Sequence, residues 1–193
     1  MESYSTSCPD CSNCYKRDKY SSIENMIIEH EGWKLLSYFD TKGIKTIGYG
    51  FNLQKSGARS IITNSGYDYD DVLNRKTKIS QEVADELLNK EIDDTKTLIK
   101  EKKKYYTDIP ECMLWVLIDM TYVLRKKFLG DFPKFWANLD KVRNGTSGAT
   151  YNEVIDEMID SLWFHQVKDR SKKLINMIIG CAHCDTTYEM YPV

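Results

Sequence analysis

The chain has 193 residues, 41% hydrophobic and 29% charged, with a net charge of −2. That is the composition of a folded globular protein of about one domain or two small lobes, and it excludes a disordered or fibrous chain. The longest apolar run, Met113 to Ile118, has six residues against the roughly 18 of a membrane-crossing helix, and 29 acidic against 27 basic residues leave no broad basic field for nucleic acid.

Residues 1–19 read as a polar arm rich in Ser, Cys, Asp and Lys. The opening Met1-Glu2-Ser3 predicts no secretory signal. A reducing site of synthesis follows, which argues against a disulfide framework during folding. Cys8, Cys11 and Cys14 are spaced C-x-x-C-x-x-C, and Cys181 and Cys184 form a second C-x-x-C near the end. Two such units make a four-thiolate zinc site when folding brings them together; disulfides and free thiols are the alternatives. Cys112, the sixth cysteine, opens an apolar helix and reads as a buried thiol.

Ser21-Ser22-Ile23-Glu24 matches a capping box and predicts a helix over 22–32, stopped by Gly32. Residues 34–53 switch to strand alternation around the turn Asp40-Thr41-Lys42-Gly43, a β-hairpin. Residues 54–79 are turn-rich, with at most one short helix. Ser80 caps a long helix, about 80–104, in which Val83, Leu87, Leu88, Ile92 and Ile99 recur at helical spacing. Pro110 opens a helix over 110–124 that is apolar nearly all round and therefore central to a core. Further helices are expected at 132–142, 150–162 and 168–179. The basic runs at Lys102–Lys104 and Arg125–Lys127 read as solvated faces.

Three residues form a constellation with chemistry in it. Glu31 ends the first helix, Asp40 sits at the hairpin tip, and Thr46 follows on the returning strand. A carboxyl at the end of an apolar helix is partly dry, which favours its protonated form; one at a hairpin tip is wet and ionised. An acid and a base in different surroundings meet the need of glycoside hydrolysis, with a threonine to hold the water. On the residues alone, the plainer readings stand ahead: a helix-end acid and an Asx-turn aspartate.

The stretch Glu31-Gly32-Trp33-Lys34-Leu35-Leu36-Ser37-Tyr38-Phe39-Asp40, with Thr46-Ile47-Gly48-Tyr49-Gly50 after it, resembles the active-site signature of phage-type lysozymes, the T-even bacteriophage family of muramidases. Three further segments are similar to that family, in the same order. They are Ile79–Ile99 as its long interlobe helix, Asp119-Met120-Thr121-Tyr122 in its central helix, and Trp163-Phe164-His165-Gln166-Val167 with Arg170 late in the chain. The resemblance spans roughly residues 20–180. It implies an α+β, mostly helical, two-lobed fold with a small hairpin sheet in the N-terminal lobe. The β lobe would cover about 34–79 and the interlobe helix about 80–104. The helical lobe would cover about 105–180 together with helix 22–32, leaving a Cys-bearing arm at 1–19 and a Cys-bearing tail at 181–193.

The resemblance also implies roles. Glu31 would protonate the leaving glycosidic oxygen, Asp40 would be the partner carboxylate and Thr46 would help hold the attacking water. The family inverts configuration, which needs carboxyls roughly 6.5–9.5 Å apart. Arg170 would pair with Glu31 from the opposite lobe, the alternative being a surface arginine. Tyr122 would contact substrate or belong to the core, and Asn52 takes the place of a substrate-contacting leucine. Phe51 replaces a histidine, and Val123 and Arg125 replace a polar residue and a glycine; the lost glycine is expected to alter the turn after the central helix. The implied substrate is peptidoglycan, cut at the β-1,4 bond between N-acetylmuramic acid and N-acetylglucosamine with no cofactor in catalysis. The implied setting is the bacterial cell wall: phage lysis, wall penetration by a virion, or an antibacterial effector made in a host cytoplasm. The arms would suit a virion or other protein partner. The alternatives are a catalytically impaired structural or peptidoglycan-binding component and, less well matched, a lytic transglycosylase. Finally, the fold would bring the chain ends together, so that Cys8, Cys11, Cys181 and Cys184 close on a structural zinc, with Cys14 or His183 as substitutes.

Overall fold

The structure, a computed structural model, describes residues 20–103, 109–167 and 169–181. These divide into two compact units, Ser22–Lys96 and Thr97 onward, the second taking in Tyr20 and Ser21. The first unit opens with helix α1, Ile23–Glu31. Its N-cap is Ser22, one residue later than the capping box predicts: the Ser22 side chain accepts from the Asn25 N–H at 3.3 Å. Met26 and Ile27 bury completely, and α1 stops at Gly32, whose φ of 61° is open to glycine at little cost. Helix 22–32, expected with the helical lobe, thus falls in the unit that holds the sheet.

Strands β1 (Lys34–Phe39) and β2 (Lys45–Gly48) form the expected hairpin, and a short β3 (Phe51–Asn52) extends it to an antiparallel sheet ordered β1-β2-β3. The β1–β2 register is irregular between Lys34 and Tyr38, then pairs Tyr38 with Thr46 and Phe39 with Lys45. Ser37, fully buried on the other face, donates to the Val72 carbonyl at 2.8 Å. Residues 54–79 hold two helices where at most one was expected, α2 (Ala58–Asn64) and α3 (Tyr69–Leu73). Asp68 caps α3 by accepting from the Asp71 N–H at 2.8 Å. The long helix α4, Gln81–Lys102, follows the predicted span closely. Tyr49, in the β2–β3 turn, is tied to its first turns, donating to Asp85 at 2.8 Å and accepting from Gln81 at 2.6 Å. Burial first, and then the Asp85 carboxylate, push the Tyr49 phenol above its ordinary value. Further along α4, buried Glu91 pairs with Lys55, whose ammonium also lies 4.5 Å over the Phe51 ring.

In the second unit, α5 (Glu111–Leu124) is the apolar helix expected, with Met113, Val116, Leu117, Ile118 and Met120 buried. Cys112, half-buried in its first turn, is disulfide-bonded, which corrects the reading of a buried free thiol. Arg125 ends α5 with φ 55° and ψ −137° and at once caps a short helix not foreseen, α6 (Lys126–Asp131). After α7 (Pro133–Arg143), the predicted helix 150–162 is two helices, α8 (Tyr151–Ile159) and α9 (Leu162–Val167), and α10 (Asp169–Cys181) closes the described chain. Phe128, Phe132, Phe135 and Trp136 form an aromatic cluster, with Trp136 donating to the Phe128 carbonyl at 2.8 Å. Cys8, Cys11 and Cys184 lie outside the described residues, as do Cys14, His183 and the side chain of Cys181, so the candidate zinc ligands fall there too. Among the described residues no helix is long and apolar enough to cross a membrane.

Candidate active site

The first unit brings Glu31, Asp40, Thr46 and Asn52 into one neighbourhood around the sheet. Asp40 is fixed by its own turn. Its Oδ1 accepts the N–H groups of Lys42 and Ile44, each at 2.8 Å, while its backbone closes the hairpin with Ile44 and Gly43. This is an Asx turn, and it binds both N–H groups through one oxygen of the carboxylate. The turn reading of Asp40 is therefore correct, and it leaves Oδ2 to accept a proton.

Thr46 is buried on β2, 4% exposed, and its Oγ1 donates to the Ile44 carbonyl at 2.9 Å. A hydroxyl carries one proton. With that proton engaged, the oxygen of Thr46 can serve a further group only as an acceptor. In the ladder, Thr46 stands opposite Tyr38 on one side and Asn52 on the other. Directly opposite residues point to the same face of a sheet. Tyr38, Thr46 and Asn52 therefore make a row across all three strands. Asn52 binds its carbonyl oxygen to the Gln54 N–H at 2.7 Å, which leaves its amide hydrogens for another acceptor.

Glu31 is half-buried as the last residue of α1. The Gly50 turn comes up beside it. Gly50 has a φ of 96°, and a β-carbon built there would lie 3.8 Å from Glu31 Oε2. Tyr38 reports on both carboxylates: burial first, then the charge of Glu31, then that of Asp40 push its phenol above the usual value. Both carboxylates thus act on one half-buried ring. Lys34 places its ammonium 4.5 Å over the same ring.

In the second unit, Arg170 is no surface arginine. Its side chain is 13% exposed and its Nε donates at 2.8 Å to Asp119, which is fully buried. Tyr122 is 4% exposed, and the Arg125 guanidinium covers its ring at 5.0 Å. Phe51, where the resemblance has a histidine, is a core residue at 2% exposure. Tyr38 is the residue that reading by motif passes over. The signal was there, since it lies two positions before Asp40 on an alternating strand.

Residues 28–122 match the phage lysozyme family, a span that contains Glu31, Asp40, Thr46, Asn52 and Tyr122. The match supports assigning this stretch to the phage lysozyme family. No curated protein matches it. The mostly helical α+β fold, with its small sheet near the N-terminus and its long helix, is that of a lysozyme. Phage lysozymes degrade peptidoglycan as muramidases, and the activity class of the chain follows at that level. Arg170 lies outside the matched span.

Proposed function

We propose that the chain is an endo-acting muramidase that hydrolyses the β-1,4 bond between N-acetylmuramic acid and N-acetylglucosamine with inversion of configuration. The observation that carries the reading is the row Tyr38–Thr46–Asn52 across the sheet, with Asp40 fixed in the adjoining hairpin turn and the Gly50 turn set against Glu31 Oε2.

In this reaction Glu31 gives its proton to the leaving glycosidic oxygen. A water attacks the anomeric carbon from the opposite side. One of its protons goes to Asp40 and the other is held by Thr46, so that its lone pair faces the sugar. The cycle ends with Glu31 ionised and Asp40 protonated, and exchange with solvent restores both. A covalent sugar ester is not needed, because the Asp40–Thr46 pair is suited to holding a water.

The test is lysis of purified cell walls by the wild type beside Glu31→Gln, which keeps the shape and loses the transferable proton. The variant should lose at least about 10² in rate. Proton NMR of fresh product should show the α-anomer first. Near-normal lysis by Glu31→Gln would overturn the role of Glu31. A β-anomer would mean retention, and anhydro-sugar ends would mean a transglycosylase. A wild type that binds walls without cutting them would make the chain a binding component.

A further inference from the structure

Tyr38 sits at the centre of the proposed site with no task assigned to it. The ladder pairs it with Thr46, and alternation along β1 puts it on the face of Asp40 rather than that of Ser37. Its ring is held from one side by the Lys34 ammonium at 4.5 Å. It is half-buried, and among the described residues its hydroxyl makes no hydrogen bond. Half-buried phenols usually find a partner. With Glu31 and Asp40 both opposing its ionisation, this one stays protonated, a donor held in reserve.

The chemistry narrows what it donates to. The attacking water already places its two protons on Asp40 and Thr46. A third bond, from Tyr38 to that water, would occupy one of its two lone pairs and draw electron density from the oxygen, making it a poorer nucleophile. Donation to Asp40 would weaken the base. The remaining acceptor between the two carboxylates is the substrate.

We propose that the Tyr38 hydroxyl hydrogen-bonds an oxygen of the sugar whose anomeric carbon is attacked, holding that ring between Glu31 and Asp40. The inference rests on the hydrolase reading given above. Tyr38 would then be a substrate-orienting residue that takes no part in the proton transfers.

The test is Tyr38→Phe, which keeps the ring and its contact with Lys34 and removes only the donor. It is assayed on purified walls beside the wild type and Glu31→Gln. The expected result is a fall of about tenfold in kcat/KM, the scale of one lost hydrogen bond. The limbs of the pH profile should stay in place, and so should the melting temperature. A second measurement stands apart from turnover: on the Glu31→Gln background, adding Tyr38→Phe should weaken binding of soluble N-acetylated glycan fragments by a similar factor. Activity of Tyr38→Phe within twofold of wild type, or unchanged glycan binding, overturns the proposal. A loss accompanied by displaced pH limbs also overturns it, because the phenol would then act through the carboxylates. An inactive wild type would remove the hydrolase reading itself. An active wild type, a dead Glu31→Gln and an unaffected Tyr38→Phe would remove only the role of Tyr38.

Discussion

Arg125 joins α5 to α6 with φ 55° and ψ −137°, a backbone conformation that residues with a β-carbon rarely adopt. The resemblance puts a glycine at this position, and the φ of Arg125 lies in the left-handed range that glycine occupies at little cost. Strain of this kind costs about 1–3 kcal/mol. Arg125→Gly relieves it but also loses the stacking on Tyr122, so its net effect is ambiguous. Comparing Arg125→Gly with Arg125→Ala removes the ambiguity, since both lose every contact of the guanidinium and only alanine keeps the β-carbon. Glycine gives back roughly 0.5–1 kcal/mol through its freer unfolded chain. The glycine variant should therefore be more stable than the alanine variant by about 1 kcal/mol. For a chain of this length that is about 2–4 °C in melting temperature. Circular dichroism melts of the two purified variants, run in parallel, check it. An alanine variant that melts at or above the glycine variant would refute the idea that residue 125 carries strain.

Two further outcomes follow from hydrogen bonds. Thr46→Ser keeps an acceptor oxygen and should stay within about tenfold of wild-type activity, whereas the near-isosteric Thr46→Val should lose about 10² in rate and about 1 kcal/mol of stability from the bond to the Ile44 carbonyl; equal wall lysis by the two would remove Thr46 from the water site. At the start of α8, Thr150 and Glu153 form a reciprocal capping box, and the Thr150 hydroxyl at 2.7 Å is the main cause holding the Glu153 carboxyl below its usual 4.5. A lowered carboxyl stabilises the fold above the unfolded value and loses that contribution as pH falls through the folded one. Thr150→Ala should therefore cost about 1 kcal/mol near neutrality as a lost cap and flatten the decline of stability below pH 4.5; denaturant melts that fall in parallel for both proteins across that range would refute it.

The elements that sequence reasoning located were the ones with long periods or strong punctuation. Helix α4 repeats its apolar stripe over several turns, and α5 is apolar nearly all round, so neither depended on a single residue. The hairpin was legible because Asp40 and Gly43 write its turn. The short helices were not. Helices α2, with seven residues, and α3, with five, are too brief to show a period, and they are set among turn residues. The break between α8 and α9 at Asp160-Ser161 has no glycine or proline to announce it. The division at Arg125 was concealed because the residue there is one that normally continues a helix. Within the site, residue types suggested an acid, a base and a hydroxyl but could not rank them above ordinary turn and cap residues; resemblance supplied the ranking. The row Tyr38–Thr46–Asn52 needed the register of the ladder. The Tyr38–Thr46 pair is set by the closure of the turn between Asp40 and Ile44, and the Thr46–Asn52 pair by the third strand, neither of which a periodicity reveals.

In the proposed reaction, position 40 answers to two demands at once. The tip of the hairpin is wound about the Asp40 carboxylate, which holds the N–H groups of residues 42 and 44. Inserting even one residue at the tip would carry those N–H groups out of reach and turn the carboxylate away. The turn therefore tolerates changes of side chain at 41 and 42 more readily than a change in the length of the loop. The two demands also differ in what would satisfy them. An asparagine offers the same carbonyl oxygen to both N–H groups and would keep the turn wound, but it accepts no proton from water. A lineage that no longer needed to cut cell walls could drift to asparagine here without unfolding its hairpin, so the residue at this position would record when the chemistry was abandoned.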